Sequence, residues 1–141
     1  MNPTQAVCNY ALLRFLPNPD TGEFVNVGVV VNCIQPCFLH FQAEETMPDR
    51  VKALFPGYDP AAYQIAVEAM GKEVKRIGGQ VRGPKDCQLA FNELVRPRES
   101  TLRYGEVKTL LSDDAQNVTE ELFRRYFRGE VTAPQMVDLS R

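Results

Sequence analysis

Apolar and polar residues alternate along most of the stretch from residue 9 to residue 42, and two short turn-forming segments interrupt the alternation. A period of two is typical of a β-strand, whose successive side chains point to opposite faces. Proline and glycine in the interruptions, as in PNPDTG at 17–22, favour turns. The pattern therefore predicts three consecutive antiparallel strands, at 9–16, 24–32 and 37–42.

Four alternating valines predict the buried face of this sheet, because β-branched side chains suit a pleated, packed surface. They are Val25, Val27, Val29 and Val31. The reverse face carries more polar side chains, namely Tyr10, Arg14, Asn26, Asn32, His40 and Gln42. The two turns place Arg14 opposite Asn26, and Val30 opposite His40. A slip of one residue would exchange the two faces, so the interpretation depends on this alternation.

From residue 48 the apolar period lengthens to three or four, as in helices that bury one face. Asp59 followed by Pro60 is a strong helix start, because aspartate caps an N-terminus and proline suits the first turn. The pattern predicts helices at 48–55, 60–78, 84–96 and 114–127, and a fourth strand at 102–111. The predicted fold is α+β, an antiparallel sheet of about four strands with helices packed on one face.

The chain of 141 residues is predicted to form a single domain, 1–141, in which 129–141 is a mobile tail. Its formal net charge of -2 provides no overall attraction to nucleic acid. No apolar run approaches the roughly 18 residues that span a bilayer, and the N-terminus lacks the pattern of a signal peptide. We therefore expect a cytoplasmic protein without membrane contact, whose four cysteines are reduced.

Two segments resemble a known family. The first, YALLRFLPNPDTGEFVNVGVVV, contains Arg14, Pro17 and the run from Gly22 to Val30, and it is similar to the bacterial family called domain of unknown function 3037. The second, LRYGEVKTLLSDDAQNVTEELFRRYF, resembles the closing strand and helix of that family more weakly. The resemblance implies a small cytoplasmic bacterial or phage-type protein with no established activity. Members often occur near HipA-like kinases, which implies a role as a partner protein.

Arg14, Glu23 and Asn26 form the first candidate site, which combines a guanidinium, a carboxylate and an amide. A guanidinium beside an amide would suit a phosphate or carboxylate ligand, because its fork of donors matches such anions. The structural alternative is that Glu23 pairs with Arg14 across the hairpin while Asn26 holds the turn, since opposite charges commonly pair across strands. Replacement of Arg14 by alanine separates the two interpretations.

Gly28 and His40 complete the predicted ligand contacts. Glycine within a strand lowers stability unless something approaches the backbone closely. Here that would be a ligand beside Asn26, or the side chain of Leu12 or Tyr10. His40 is the only histidine, so acid–base chemistry near neutral pH would depend on it. No nucleophile is recognisably placed beside it, and an ordinary exposed strand histidine is the alternative.

Other polar clusters have a structural explanation that we prefer. Cys33, Cys37 and His40 are zinc-ligand residue types, but their spacing differs from the usual C-x2-C. We therefore predict no metal and no cofactor. Two basic groups, at 72–85 and 96–128, are explained in part by cations near helix C-termini. Nucleic-acid contact is the less favoured alternative, because no helix-turn-helix or RNP motif is present.

Taken together, these residues favour a non-enzymatic protein-binding or regulatory module, because they include a mixed polar sheet face and no convincing catalytic constellation. Its partner would be another protein, such as a HipA-like kinase, and a homodimer is a further expectation. The alternative is a small enzyme, or a protein that handles nucleotides or nucleic acid, using Arg14, Glu23 and His40. An enzyme would place those three side chains in one concave pocket.

Overall fold

The computed structural model describes residues 5–128 and the backbone of 136–138. Its sheet consists of β1 (Ala6–Phe15), β2 (Val25–Cys33), β3 (Phe38–Ala43), β4 (Leu102–Tyr104), β5 (Lys108–Ser112) and β6 (Met136–Asp138). Its helices are α1 (Asp49–Leu54), α2 (Pro60–Gly78), α3 (Pro84–Leu94) and α4 (Val118–Phe127), with a 3-10 turn at Ala115–Asn117. The predicted α+β class and antiparallel sheet are confirmed. Apart from β6, the predicted tail at 129–141 lies outside the described residues.

The sheet is organised around β1, and the strand order is β3-β2-β1-β5-β6. The predicted single strand at 102–111 is two strands that pair with different parts of β1. β4 lies beside Leu13–Phe15, whereas β5 lies beside Ala6–Tyr10. Gly105 follows β4, and its N–H donates to Leu12 O at 2.8 Å. This hydrogen bond keeps the segment between β4 and β5 attached to β1.

A β-bulge in β2 changes which face the valines occupy. Leu13 pairs with Gly28 but Arg14 pairs with Asn26, so Val27 is the extra residue on β2. Val25 and Val27 consequently pack with the cluster that contains α1 and α2, while Val29 and Val31 pack against α4. The prediction of one face for all four valines is wrong, because the bulge breaks the period of two.

Pairing between β2 and β3 refines the predicted register. The predicted pair Arg14–Asn26 is confirmed, but His40 lies opposite Val31 rather than Val30. His40 and Gln42 therefore share a face with Val29 and Val31, while Phe41 shares the other with Val30.

Helices cover both faces of the sheet. α1, α2 and α3 lie on one face, as predicted, where Leu13, Phe15 and Val30 are fully buried. α4 adds a second buried layer on the other face, over Tyr10, Val29 and Val31. Tyr10, which was assigned to the polar face, is consequently buried. Asn32, assigned to the same face, is buried on the opposite one, against Cys87 of α3.

Helix and turn signals in the sequence mark real ends of elements. The Asp59 side chain accepts a hydrogen bond from Ala61 N at 3.0 Å at the start of α2, and this helix ends at Gly78 as predicted. Gly22 has a φ of 72° in the turn before β2, a conformation that favours glycine. None of the described helices combines the length and apolar character that a membrane crossing requires.

A disulfide joins β1 to β2, which corrects the expectation that all four cysteines are reduced. Cys8 and Cys33 are directly opposite each other, with Cα atoms 4.4 Å apart, and their sulfur atoms are bonded. Cys37 and Cys87 are free thiols.

Candidate functional site

The five residues predicted to contact a ligand lie in several parts of the sheet. Arg14 and Asn26 are cross-strand neighbours on β1 and β2. Glu23 is exposed in the preceding turn, and Gly28 is buried one step beyond the bulge. His40 lies on β3, in register with Tyr10 of β1 through Val31 of β2. Tyr10 precedes Arg14 by four residues, which is about 13 Å along the strand at roughly 3.3 Å per residue. The structure therefore brings Arg14 and Asn26 together and leaves His40 apart from them.

Arg14 is held by an aromatic ring rather than by a carboxylate. Its guanidinium carbon lies 4.3 Å from the centroid of the Phe24 ring, within the range of a cation–π contact. In the part of the chain that the structure describes, Arg14 and Glu23 form no ion pair. The pairing proposed as the structural alternative is therefore wrong. Glu23 instead donates its N–H to Thr21 Oγ1 at 3.4 Å, within the turn.

A cleft of about 500 Å³ opens beside Arg14, between β1, the end of α3 and the segment after β4. Its lining includes Arg14, Arg96, Tyr104, Gly105 and Glu106. Arg14 Nε and the Tyr104 hydroxyl oxygen are both buried and have no hydrogen-bond partner among the described residues. Burial raises the pKa of Tyr104, so its hydroxyl keeps its proton. Two of the residues that line the cleft therefore each have a buried, unpartnered hydrogen-bond donor.

A neighbouring cavity of about 290 Å³ lies between α2, α3 and β4. Its apolar lining includes Met70, Ile77 and Leu94, and several arginines surround it. Arg96 and Tyr104 line both this cavity and the cleft beside Arg14, so the two spaces adjoin.

A third space, a groove of about 630 Å³, runs along β3 beside α2. Consecutive residues of β3 line it, including Phe41 from one face of the strand and His40 and Gln42 from the other. Because neighbouring side chains of a strand point to opposite faces of the sheet, a groove lined by both sets runs along the edge of that strand. Within the described sheet β3 is the outermost strand on this side, and its neighbour is β2.

The hydrogen-bond ladder shows which backbone groups of β3 face this groove. Glu44 N donates to Val27 O at 2.8 Å, directly after the last pair of the strand. In an antiparallel pair, alternate residues bond to the partner strand. His40 and Gln42 therefore bond to β2. The backbone groups of Leu39, Phe41 and Ala43 point away from β2, toward the open edge.

Charges divide the groove into two ends. Gly71 of α2 lies against the Phe41 ring and Gly78 lies against Leu39, so α2 passes β3 in the opposite direction. The lining residues of the groove include Glu45 and Glu68, which lie toward the Ala43 end, and Lys72 and Lys75, which lie toward the Leu39 end. The groove is thus acidic at one end and basic at the other.

His40 lies at this edge in its neutral form. Its ring stacks on that of Phe38, with centroids 4.1 Å apart and planes 17° from parallel. Partial burial lowers the pKa of His40 from its usual value of 6.5. At neutral pH the side chain is therefore an uncharged ring with one donor and one acceptor.

Comparisons with known proteins give one match. A family model described as "Protein of unknown function (DUF3037)" matches residues 10–127, which is most of the chain. The chain belongs to the DUF3037 family. No curated protein and no solved structure matches it significantly.

The two segments that carry the DUF3037 resemblance meet in the folded chain. β4 pairs with the end of β1, so Tyr104 lies opposite Leu13 and Gly105 lies against the Arg14 guanidinium. Sequence reasoning identified Arg14 but assigned no role to Tyr104 or Gly105. The available signal was Gly105 itself, a glycine inside a predicted strand, which often marks a close approach.

The cysteine region of this DUF3037 domain is a packed structural cluster. Asn32 Nδ2 donates to Cys87 Sγ at 2.9 Å, and the Cys87 thiol donates to Phe38 O at 3.1 Å. Burial, with a contribution from neighbouring Cys37, raises the pKa of Cys87 to about 12. No group of three metal-ligating side chains occurs within the described residues, and the disulfide occupies Cys33.

Lysines and arginines of the two basic groups have local roles in the DUF3037 domain. Lys72 and Lys75 line the basic end of the β3 groove. Several arginines form ion pairs within or next to their own helices, namely Arg76 with Glu73, Arg96 and Arg98 with Glu93, and Arg124 with Glu120.

Proposed function

We propose that the protein is a non-enzymatic binding module that captures an extended segment of a partner protein along the open edge of β3. The observation that carries this proposal is the placement of that edge beside α2. The backbone groups of Phe41 and Ala43 point out of the sheet at this edge, and α2 forms a wall for alternate side chains, with Gly78 against Leu39 O. Addition of a peptide strand to an exposed sheet edge is a common mode of peptide recognition.

The chemistry of the groove specifies the bound segment. Buried Val67 and Val74 and the half-buried Phe41 provide an apolar base. A strand added antiparallel to β3 would run from the Ala43 end toward the Leu39 end. Its first residues would meet Glu45 and Glu68, and its last residues would meet Lys72 and Lys75. The groove therefore favours a segment with a basic start, apolar alternate positions and an acidic end.

A selection from a random peptide library on the full chain tests this function. Anisotropy titrations with the enriched peptides would follow. Ala43→Pro removes an outward N–H and places a ring at the edge while losing little side chain. Lys72→Glu combined with Lys75→Glu reverses the basic end. Each change should weaken peptide binding at least about tenfold.

A matched charge control is available in the exposed lysines Lys52 and Lys85, which do not line the groove. Changing both to glutamate should leave binding within about twofold, since surface charges act locally at moderate salt. The proposal is overturned if no peptide is enriched, or if enriched peptides bind all variants equally. A concentration-dependent dimer that Ala43→Pro abolishes would assign the edge to self-pairing instead.

The resemblance makes a HipA-like kinase the first partner to test, in the bacterial cytoplasm. Overlapping peptides from such a kinase, used in the same titration, would examine that choice directly. The alternative enzyme based on Arg14, Glu23 and His40 has less support, because Glu23 is exposed in a turn and His40 lies on the opposite side of β2 from β1. Turnover of a nucleotide that is lost in His40→Gln would favour that alternative.

A further inference from the structure

Arg14 and Tyr104 each have a buried hydrogen-bond donor that lacks an acceptor. Both Arg14 Nε and the Tyr104 hydroxyl are buried without a partner among the described residues, and the two residues line the 500 Å³ cleft. An unsatisfied buried donor lowers stability by about 1–3 kcal/mol, so native proteins usually provide each one with a partner. Arginine has no acceptor capacity, and a protonated tyrosine readily donates. Each of the two groups therefore requires an acceptor, such as an oxygen of an oxyanion.

The charge around the two adjoining spaces is positive. Within the described residues, the arginines that line them are Arg14, Arg76, Arg96, Arg98 and Arg103, and the carboxylates are Glu73, Glu93 and Glu106. Glu93 is shared, at 3.2 Å from Arg96 and 3.6 Å from Arg98. Arg103 donates to a backbone carbonyl, that of Ser100, at 2.7 Å. The carboxylates consequently do not neutralise the arginines.

The adjoining 290 Å³ cavity has an apolar interior formed by Met70, Ile77, Ala90, Leu94 and Leu102. We propose that the two spaces together bind a small organic molecule that carries a phosphate or carboxylate group. Arg14, Tyr104 and Arg96 hold the oxyanion in the cleft. The apolar part of the ligand occupies the cavity between α2 and α3. This site uses residues distinct from those of the β3 groove, so it goes beyond the proposed peptide-binding function.

Gly105 positions the guanidinium for this role. A Cβ atom added at Gly105 would lie 2.9 Å from Cζ, Nε and Nη2 of Arg14. These are the atoms at the end of a flexible side chain, so the fold would accommodate an alanine by moving the guanidinium. Gly105→Ala therefore displaces the binding group while keeping its charge. The variant separates the positioning of Arg14 from its contribution to net charge.

Calorimetric titration with inorganic phosphate, AMP and benzoate tests the proposal on the full chain. Inorganic phosphate tests whether the anion alone is sufficient for binding, and the two organic anions test whether an apolar part is also required. AMP and benzoate differ in the anionic group, which is a phosphate in one and a carboxylate in the other. At least one organic anion should bind more tightly than inorganic phosphate. Arg14→Gln and Gly105→Ala should weaken its binding at least about tenfold, and Tyr104→Phe about fivefold or more, because hydrogen bonds to charged groups are among the stronger ones.

Arg82→Gln provides the control, since it makes the same change of net charge at an exposed residue that lines neither space. It should change binding by less than about twofold. Melting temperatures of Gly105→Ala and Tyr104→Phe show whether loss of binding arises from unfolding, so these two variants decide the outcome if Arg14→Gln does not fold. The proposal is overturned if none of the probes binds the native chain, or if Arg82→Gln weakens binding as much as Gly105→Ala.

Discussion

Gly28 of β2 lies directly opposite Ala43 of β3, so close that a Cβ atom at Gly28 would come within 2.8 Å of Ala43 Cβ and 3.0 Å of Gln42 O. One of these contacts is with backbone, which cannot rotate away. Gly28→Ala should therefore force β3 away from β2 and destabilise the fold by about 1–3 kcal/mol, in the range for overpacking a core. Urea denaturation monitored by circular dichroism would measure this change in unfolding free energy.

A second substitution at Ala43 tests whether this contact is the cause. In the double variant Gly28→Ala with Ala43→Gly, part of the lost stability should return, because the contact with Ala43 Cβ is removed while the backbone contacts with Gln42 O and the Cα atom of residue 43 remain. Gly57→Ala is the matched control, since a Cβ there meets nothing within 4 Å. If Gly28→Ala is as harmless as Gly57→Ala, the close approach of the two strands is wrong.

Asp59 caps the longest helix of the described chain, α2, through its side-chain bond to Ala61 N. Loss of an aspartate cap costs about 0.5–2 kcal/mol, because it leaves a helix N–H without its acceptor. Asp59→Ala should lower the unfolding free energy by that amount in denaturant titrations. Asp59→Asn keeps an oxygen acceptor and should remain within about 0.5 kcal/mol of the native chain. Equal losses in both variants would contradict the capping role.

The local signals in the sequence were sufficient to predict most elements, because each depends on a few neighbouring residues. The cap at Asp59 and the turn at Gly22 are examples. The bulge at Val27 was not predictable from alternation alone, because it depends on the register in which β2 pairs with β1. The layer formed by α4 was not predicted either. The sequence shows that both faces of β1 carry apolar residues, but it does not show which helix packs on which face.

Contacts of the candidate site depend on pairing between distant segments. Arg14 reaches Gly105 because β4 returns to the end of β1, some ninety residues later in the chain. The choice of Phe24 over Glu23 as the neighbour of Arg14 depends on the bulge and on the direction in which each turn residue points. Residue types therefore identified Arg14 as a candidate, but its partners required the fold.

His40 should make stability depend on pH. Burial lowers its pKa in the folded chain below 6.5, so the unfolded chain binds a proton first as the pH falls. Its contribution is fully present above about pH 6.5 and is lost as the pH falls toward the lower, folded-state value. Unfolding free energies measured between about pH 7.5 and about pH 5.5 should therefore decrease on acidification, a range in which ordinary carboxylates stay charged.

The His40→Gln variant, which does not titrate, should show a flatter pH dependence over that range. The comparison requires only the two slopes, so a constant loss of stability in the variant does not affect it. An unchanged slope would show that another group titrates there and that His40 is as solvated in the folded chain as in the unfolded one.

The two free cysteines should differ strongly in reactivity. Cys37 is partly exposed, whereas Cys87 is buried and its pKa is raised to about 12. The thiolate is the reactive form, and the raised pKa keeps the Cys87 thiol protonated at pH 8, whereas roughly a quarter of an ordinary cysteine is ionised. Iodoacetamide without reductant should therefore add one group to the native chain, at Cys37, as mass spectrometry would show.

A second group should appear, at Cys87, only after the chain is unfolded in urea, because unfolding restores an ordinary pKa. Cys8 and Cys33 should remain unmodified until a reductant opens their disulfide. Cys37→Ser is the control, and its native form should take up no label. Rapid labelling of Cys87 in that native variant would mean that α3 does not shield the thiol, and the contacts of Cys87 with Asn32 and Phe38 would then be wrong.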